Sequence, residues 1–164
     1  MASLIPVLRR RVMTVTNILK KDHRTASGMI RTLEITPRFN GMVRKALFNQ
    51  IRHQLLVHSQ AEEEVFYPAV RNLVFGQVDR YVDESYREHQ KMKDLLKQLS
   101  NVDPLRDEFD AKVAELRRTI QLHVEEEEAR IFPMIQRHMS SEQLQQLGQR
   151  IHNKKLDLKK QIAA

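Results

Sequence analysis

Apolar residues recur at alternating steps of four and three along four separate stretches, and each stripe carries one histidine near its middle. The first stripe runs Val12, Thr16, Leu19, His23, Ala26, Ile30 and Leu33, and the second Leu47, Ile51, Leu55, His58, Glu62, Val65 and Ala69. The third runs Val78, Val82, Ser85, His89, Met92, Leu96 and Leu99. The fourth runs Phe109, Val113, Leu116, Ile120, His123 and Glu127, then slips past Arg130 to Ile131 and Met134. A 4-3 repeat is the buried seam of a left-handed helix bundle. Breakers separate the stretches: Pro37 with Gly41, Gly76, the run Asn101-Val102-Asp103-Pro104, and Ser140 with Ser141. Helices are therefore predicted over 8–36, 41–75, 77–100, 104–139 and 141–162. Asp103 is expected to cap a helix with Pro104 in its first turn, and Ser141 to cap the last. The expected fold is all-α, an up-down-up-down four-helix bundle over about 8–139 followed by a C-terminal amphipathic helix over about 141–162. One domain spans 1–164.

The same seams bring chemistry together. In an up-and-down bundle with short connections, mid-helix residues meet at one level whichever way each helix points. Four imidazoles and the carboxylates of Glu62 and Glu127 would then share an interior layer. His58 and Glu62, like His123 and Glu127, are four apart, a turn of about 400°, so both members of each pair face one point. Ionised carboxylates buried without a partner cost several kcal/mol each, roughly, and two in one layer also repel, so a positive charge is required. A divalent or trivalent metal supplies it, and imidazole with carboxylate oxygen suits iron, manganese or zinc. With no cysteine in the chain, disulfides, thiolate nucleophiles and iron–sulfur clusters are excluded. No Glu-x-x-His ligand pair of the ferritin-like kind occurs, and four scattered glycines cannot build a phosphate loop.

Two of the segments resemble each other. His58-x3-Glu62-Glu63 continues to Phe66-Tyr67-Pro68, and His123-x3-Glu127-Glu128 to Ile131-Phe132-Pro133, an internal repeat that pairs Glu62 with Glu127. At these residues the chain resembles hemerythrin and the hemerythrin-like HHE cation-binding proteins, over about residues 15–135. That family's pattern is a His on the first helix, His-x3-Glu on the second, His-x3-His on the third and His followed by an acid three or four residues on in the fourth. Carried over residue by residue, His23, His58, Glu62, His89, His123 and Glu127 are the implied metal ligands. The resemblance implies two non-heme irons, bridged by the carboxylates and an oxo or hydroxo group, with His23 and His58 serving one iron and His89 and His123 the other. Two departures matter. Lys93 stands where oxygen carriers have a second His on the third helix, which leaves open coordination positions and favours redox chemistry over dedicated oxygen carriage. The wider spacing seen in many relatives would select Glu128 in place of Glu127.

The resemblance thus implies a redox or sensing role in which a small oxidant, oxygen, peroxide or nitric oxide, binds or reacts at the centre. The alternatives are a module that binds oxygen or iron reversibly without turnover, and a metal-free helical interaction protein. In the strongest metal-free version, Lys93 supplies the cation to Glu62 or Glu127. Glu63, Glu64, Glu125 and Glu126 read as solvated, with one of them serving behind an imidazole. Asp22 and Glu88, each about 100° off its seam, read as surface groups. Tyr67 and Tyr86 read as packing residues within reach of the layer. His53, His138 and His152 lie off the seams and receive no metal role.

The 28 Lys and Arg outnumber the 21 Asp and Glu, for a net charge of +7. Seven of the acids crowd into residues 62–64 and 125–128, so the rest of the chain has twice as many bases as acids. Without a nucleic-acid motif or interleaved aromatics this is read as a solubilising exterior, and no nucleic-acid partner is expected. No apolar run approaches the roughly 18 residues of a membrane span, and residues 1–11 lack a secretory signal's apolar core, so the cytoplasm is the default location. The last helix, with Leu144, Leu147, Ile151, Leu158 and Ile162 on one face and Lys154, Lys155, Lys159 and Lys160 beside it, is expected to cover the bundle, mediate a homodimer, or touch an anionic surface.

Overall fold

The computed structural model describes residues 13–73, 76 and 78–163, and among these the chain forms five helices and no strand. Helix α1 is Val15–Ile35. Helix α2 covers 41–73 as an α-helical Gly41–Ala61, a π-helical turn at Glu62–Phe66 and a final Tyr67–Leu73. Helix α3 is Asp79–Leu99. Helix α4 covers 107–138 in the same three-part form: Asp107–Glu126, a π-helical turn at Glu127–Ile131, and Phe132–His138. Helix α5 is Ser141–Ala163. Val12 and the predicted helical residues 8–12, 74, 75 and 77 lie outside the described residues.

The first four helices pack as the expected bundle, and every described seam residue of α1 and α3 is buried. The α2 seam departs from expectation at its start, where Leu47 is half-buried and Phe48 is in the core, and the seams of α2 and α4 both depart after their glutamates. Val65, Ala69 and Met134 are only half-buried, and Phe66, Tyr67, Val70, Phe132 and Ile135 take their places in the core. The cause is the π turn, which inserts one residue and rotates everything beyond it by about 100°. Each turn is closed by an i+5 bond, from the Tyr67 N–H to the Glu62 carbonyl and from the Phe132 N–H to that of Glu127. Pro68 and Pro133 follow at once. A proline ring collides with the carbonyl four residues back and offers no N–H, so the wider turn accommodates both.

Two further expectations are corrected. Helix α4 begins at Asp107 rather than 104, because the Asp103 side chain accepts from the Leu105 N–H at 2.9 Å and holds a turn instead of capping a helix. Ser140, not Ser141, caps α5: its hydroxyl accepts from the Gln143 N–H at 3.2 Å while the Gln143 side chain accepts from the Ser140 N–H at 2.8 Å, a reciprocal capping box.

The core divides into two apolar clusters, one around Leu19, Phe66, Tyr67 and Phe132, the other around Ile30, Ile51, Leu96 and Phe109. Helix α5 belongs to the first. Its Leu144, Leu147, Ile151 and Leu158 are buried against the bundle, each worth about 1.5–3 kcal/mol. That face covers the bundle through these four residues, while Ile162 on the same predicted face stays 41% exposed. Gly148 lets the backbones close, since a Cβ there would sit 2.5 Å from the Met13 carbonyl oxygen. No helix among the described residues is long and apolar enough to cross a membrane.

Candidate metal centre

Between the two apolar clusters lies a polar layer. His23 from α1, His58 and Glu62 from α2, His89 from α3, and His123 and Glu127 from α4 all point into it, and none is more than 5% exposed. Glu62 and Glu127 each stand at the first residue of a π turn, one helical turn after a histidine. Glu62 Oε2 lies 3.2 Å from His58 Nε2 and 3.3 Å from His89 Nε2. Glu127 Oε2 lies 3.2 Å from His23 Nε2. His123 Nε2 stands between them, 3.9 Å from each carboxylate and 3.4 Å from His89 Nε2. By proximity, His58, Glu62, His89 and His123 form one group able to hold an ion, and His23, His123 and Glu127 another. This grouping differs from the pairing of His23 with His58 that the resemblance implies.

Every Nε2 points inward because every Nδ1 is engaged outside. The Nδ1 of His23 lies 2.8 Å from Glu128, that of His58 3.2 Å from Asp22, that of His89 3.0 Å from Glu63 and that of His123 3.1 Å from Glu88. These contacts close a ring around the bundle, in which α1 supports the imidazole of α2, α2 that of α3, α3 that of α4, and α4 that of α1. A carboxylate accepting from Nδ1–H fixes the tautomer that leaves Nε2 as a lone pair. Asp22 and Glu88 are therefore not surface groups. Each sits beside a histidine in sequence but serves the histidine of the neighbouring helix, so no spacing within one helix reveals it. Glu63 is the member of the acidic runs that stands behind an imidazole, and Glu128 has the same outer place, leaving Glu127 to face the layer.

Lys93 pairs with Glu63, its Nζ 2.7 Å from both oxygens, and not with Glu62 or Glu127. Among the described residues no Lys or Arg pairs with either inner carboxylate. Tyr67 donates its hydroxyl to Glu62 Oε2 at 3.2 Å and lies 3.5 Å from His89 Nε2. Burial, reinforced by the charges of Glu127 and Glu62, holds its phenol far above the ordinary value, so it stays a donor. The Tyr86 hydroxyl donates outside the layer, to the Glu63 carbonyl at 3.0 Å.

The layer lacks positive charge. His23 Nε2, His58 Nε2, Glu62 Oε1 and both oxygens of Glu127 are buried with no hydrogen-bond partner. Without a metal, His23 and His89 take up protons instead. Burial opposes charging His23, but Glu127 and the more distant Glu62 outweigh it and raise the group to about 9. His89 rises to about 9 in the same way, burial being outweighed by Glu62 and Glu63. Burial would raise the Glu62 carboxyl, yet the surrounding imidazoles hold it well below the usual carboxylate range. Nitrogen and oxygen donors, buried, converging and unpartnered, are a donor set that fits a metal cation. Beside the layer, a cleft walled by Ala26, Leu55, Met92, Ile120 and Val124 reaches His23, His58, His89 and His123.

Residues 14–135 match the family model described as the hemerythrin HHE cation binding domain. A DNA nickase of Nostoc is 33% identical over 134 residues, covering 82% of this chain and 37% of the relative, so the chain spans little more than a third of that protein's length. An uncharacterised hemerythrin-like protein of Schizosaccharomyces pombe is 24% identical over 139 residues, 85% of this chain and 68% of the relative. In structure, a hemerythrin HHE cation binding domain-containing protein from Mycobacterium kansasii superposes with a TM-score of 0.79 at 20% identity, covering 91% of this chain and 89% of the other.

Proposed function

The chain belongs to the hemerythrin HHE cation binding domain family, and we propose that it is a non-heme di-iron protein that binds or reacts with a small oxidant. The unpartnered nitrogen and oxygen atoms of His23, His58, Glu62 and Glu127 carry this reading, because a buried layer of that composition is stable only around positive charge. His23, His58, His89 and His123 would hold the metals through Nε2, together with the carboxylates of Glu62 and Glu127. Bound iron would supply redox chemistry and a Lewis-acidic open position.

The chain's own residues do the rest. The four outer carboxylates engage Nδ1 of each imidazole and aim Nε2 inward. Tyr67 holds a donor hydroxyl beside Glu62. The apolar-walled cleft at Leu55, Met92 and Ile120 lies against the histidines and supports a ligand as small as oxygen, nitric oxide or peroxide, and a layer at most 5% exposed takes a molecule of that size rather than a macromolecule.

The test is metal analysis of chain purified without chelators, together with near-ultraviolet absorption. About two irons per chain is expected; none, with melting unchanged by added Fe(II), would sink the proposal. Stopped-flow mixing of the reduced protein with oxygen or peroxide then separates the roles. Repeated consumption marks turnover, and a reversible spectral change marks a carrier.

A further inference from the structure

Helix α5 lies beyond the residues that the family model matches, yet one of its side chains reaches the ring of carboxylates around the polar layer. Lys155, 12% exposed, places Nζ 2.6 and 2.5 Å from the two oxygens of Asp22. Asp22 Oδ2 in turn lies 3.2 Å from His58 Nδ1. Its neighbour Lys154 pairs instead with Glu64, which touches no imidazole.

We infer that Lys155 is a positioning residue of the metal centre, which fixes Asp22 behind His58 and, by neutralising it, makes His58 a weaker donor than the histidines whose outer carboxylates lack such a lysine. The comparison is internal to the ring. Lys93 sits 2.7 Å from Glu63 behind His89, so the two imidazoles nearest Glu62 both have neutralised carboxylates behind them. On the other side, Glu128 behind His23 has only Lys20 at 4.0 Å, and Glu88 behind His123 has no lysine or arginine partner among the described residues. A bare carboxylate draws the Nδ1 proton toward itself and pushes electron density into Nε2, and a carboxylate clamped by an ammonium does so less. The two ends of the centre are thus made unequal by lysines, one of them carried by a helix outside the bundle.

This inference rests on the di-iron reading, and its test is the midpoint potential of the iron-loaded full chain, followed by its absorption. Lys155→Met removes a positive charge and frees Asp22, which stabilises oxidised iron; the oxidised-to-reduced ratio at the wild-type midpoint should rise on the order of tenfold. Asp22→Asn keeps an acceptor but removes the negative charge, and should shift the ratio the opposite way. Lys155→Arg should stay within about twofold of wild type, and so should Lys154→Met, which loosens the same helix without touching the ring. Adding Lys155→Met to Asp22→Asn should give less than half the shift it gives alone. A wild-type potential in Lys155→Met, or shifts of the same sign in Lys155→Met and Asp22→Asn, would overturn the assignment. Wild-type chain that takes up no iron would instead overturn the reading beneath it.

Discussion

The Nε2 atoms of His89 and His123 face each other at 3.4 Å, although each ring has already turned its Nδ1 to a carboxylate, Glu63 and Glu88. A neutral imidazole protonated at Nδ1 is an acceptor at Nε2, and two acceptors aimed at one another require a cation or a proton between them. The ring of outer carboxylates therefore builds the demand for a cation that the inner carboxylates reinforce.

In metal-free protein the proton fills that role, which predicts a pH dependence. Burial is outweighed by Glu62 and Glu63 at His89 and chiefly by Glu127 at His23, so both groups rise from 6.5 to about 9. A raised imidazole contributes stability that is complete below pH 6.5 and is lost as pH climbs through 9. The melting temperature of metal-free chain should fall across this window, while chain saturated with metal stays level, its Nε2 lone pairs being held by the cation. Melting curves with and without chelator at intervals across the window check this; parallel slopes refute it.

On the di-iron proposal, removing a side chain that faces the layer should differ from removing one that stands behind it. His123→Ala and Glu127→Ala delete atoms that face the layer, and both should lose bound iron, His123→Ala losing helical stability with it. Glu128→Ala deletes only the acceptor behind His23, so it should keep two irons and release them to a chelator about 10–100-fold more readily. His53→Ala, off the seam, should change neither. Iron content by plasma emission and chelator kinetics on the four variants decide the matter. Equal iron loss in Glu127→Ala and Glu128→Ala would contradict the division between facing and outer carboxylates.

Much of this centre was legible because helical period and burial speak the same language. Four histidines at the middle of four apolar stripes, and two glutamates one turn on, are visible as residues that break a pattern. The outer ring was not legible, because Asp22 and Glu88 look solvent-facing from their own helix and acquire their role only from the helix alongside. Lys93 illustrates the same limit: one turn after His89 it is expected to meet Glu62 or Glu127, but it pairs with Glu63 on the neighbouring helix, whose facing α3 alone does not reveal. The π turns were visible only as a slip past Arg130, and in α2 the alternation through Val65 and Ala69 masked the bulge altogether.

Close approach of α5 to the start of α1 makes Gly148 a test of docking. A Cβ there would meet the Met13 carbonyl at 2.5 Å and the Val15 nitrogen at 3.0 Å, both backbone atoms that cannot swing aside. Gly148→Ala should therefore cost about 1–3 kcal/mol despite alanine's better helix propensity. Denaturant unfolding measures it, and a variant as stable as wild type would show that the helices separate freely at this point.

Arg44 should report on the fold alone. It continues the α2 seam seven residues before Ile51, where periodicity places it inside and chemistry argues against it. The structure buries it to 2% exposure, with Nη1 donating to the Thr36 carbonyl at 2.9 Å, the guanidinium paired with Asp110 and its Cζ 5.3 Å from the Phe109 ring centroid. Asp110 keeps a second partner in Arg38 at 2.6 Å and is a third exposed, so Arg44→Met strands little negative charge. What it loses is the bond to Thr36 and the stacking, together about 2 kcal/mol. Fourteen residues of helix, about 21 Å, separate Arg44 from His58, so iron content and the absorption of the centre should match wild type while the melting temperature drops. A variant that loses iron as well would mean that the far end of the bundle, and not only the histidine layer, sets the geometry of the site.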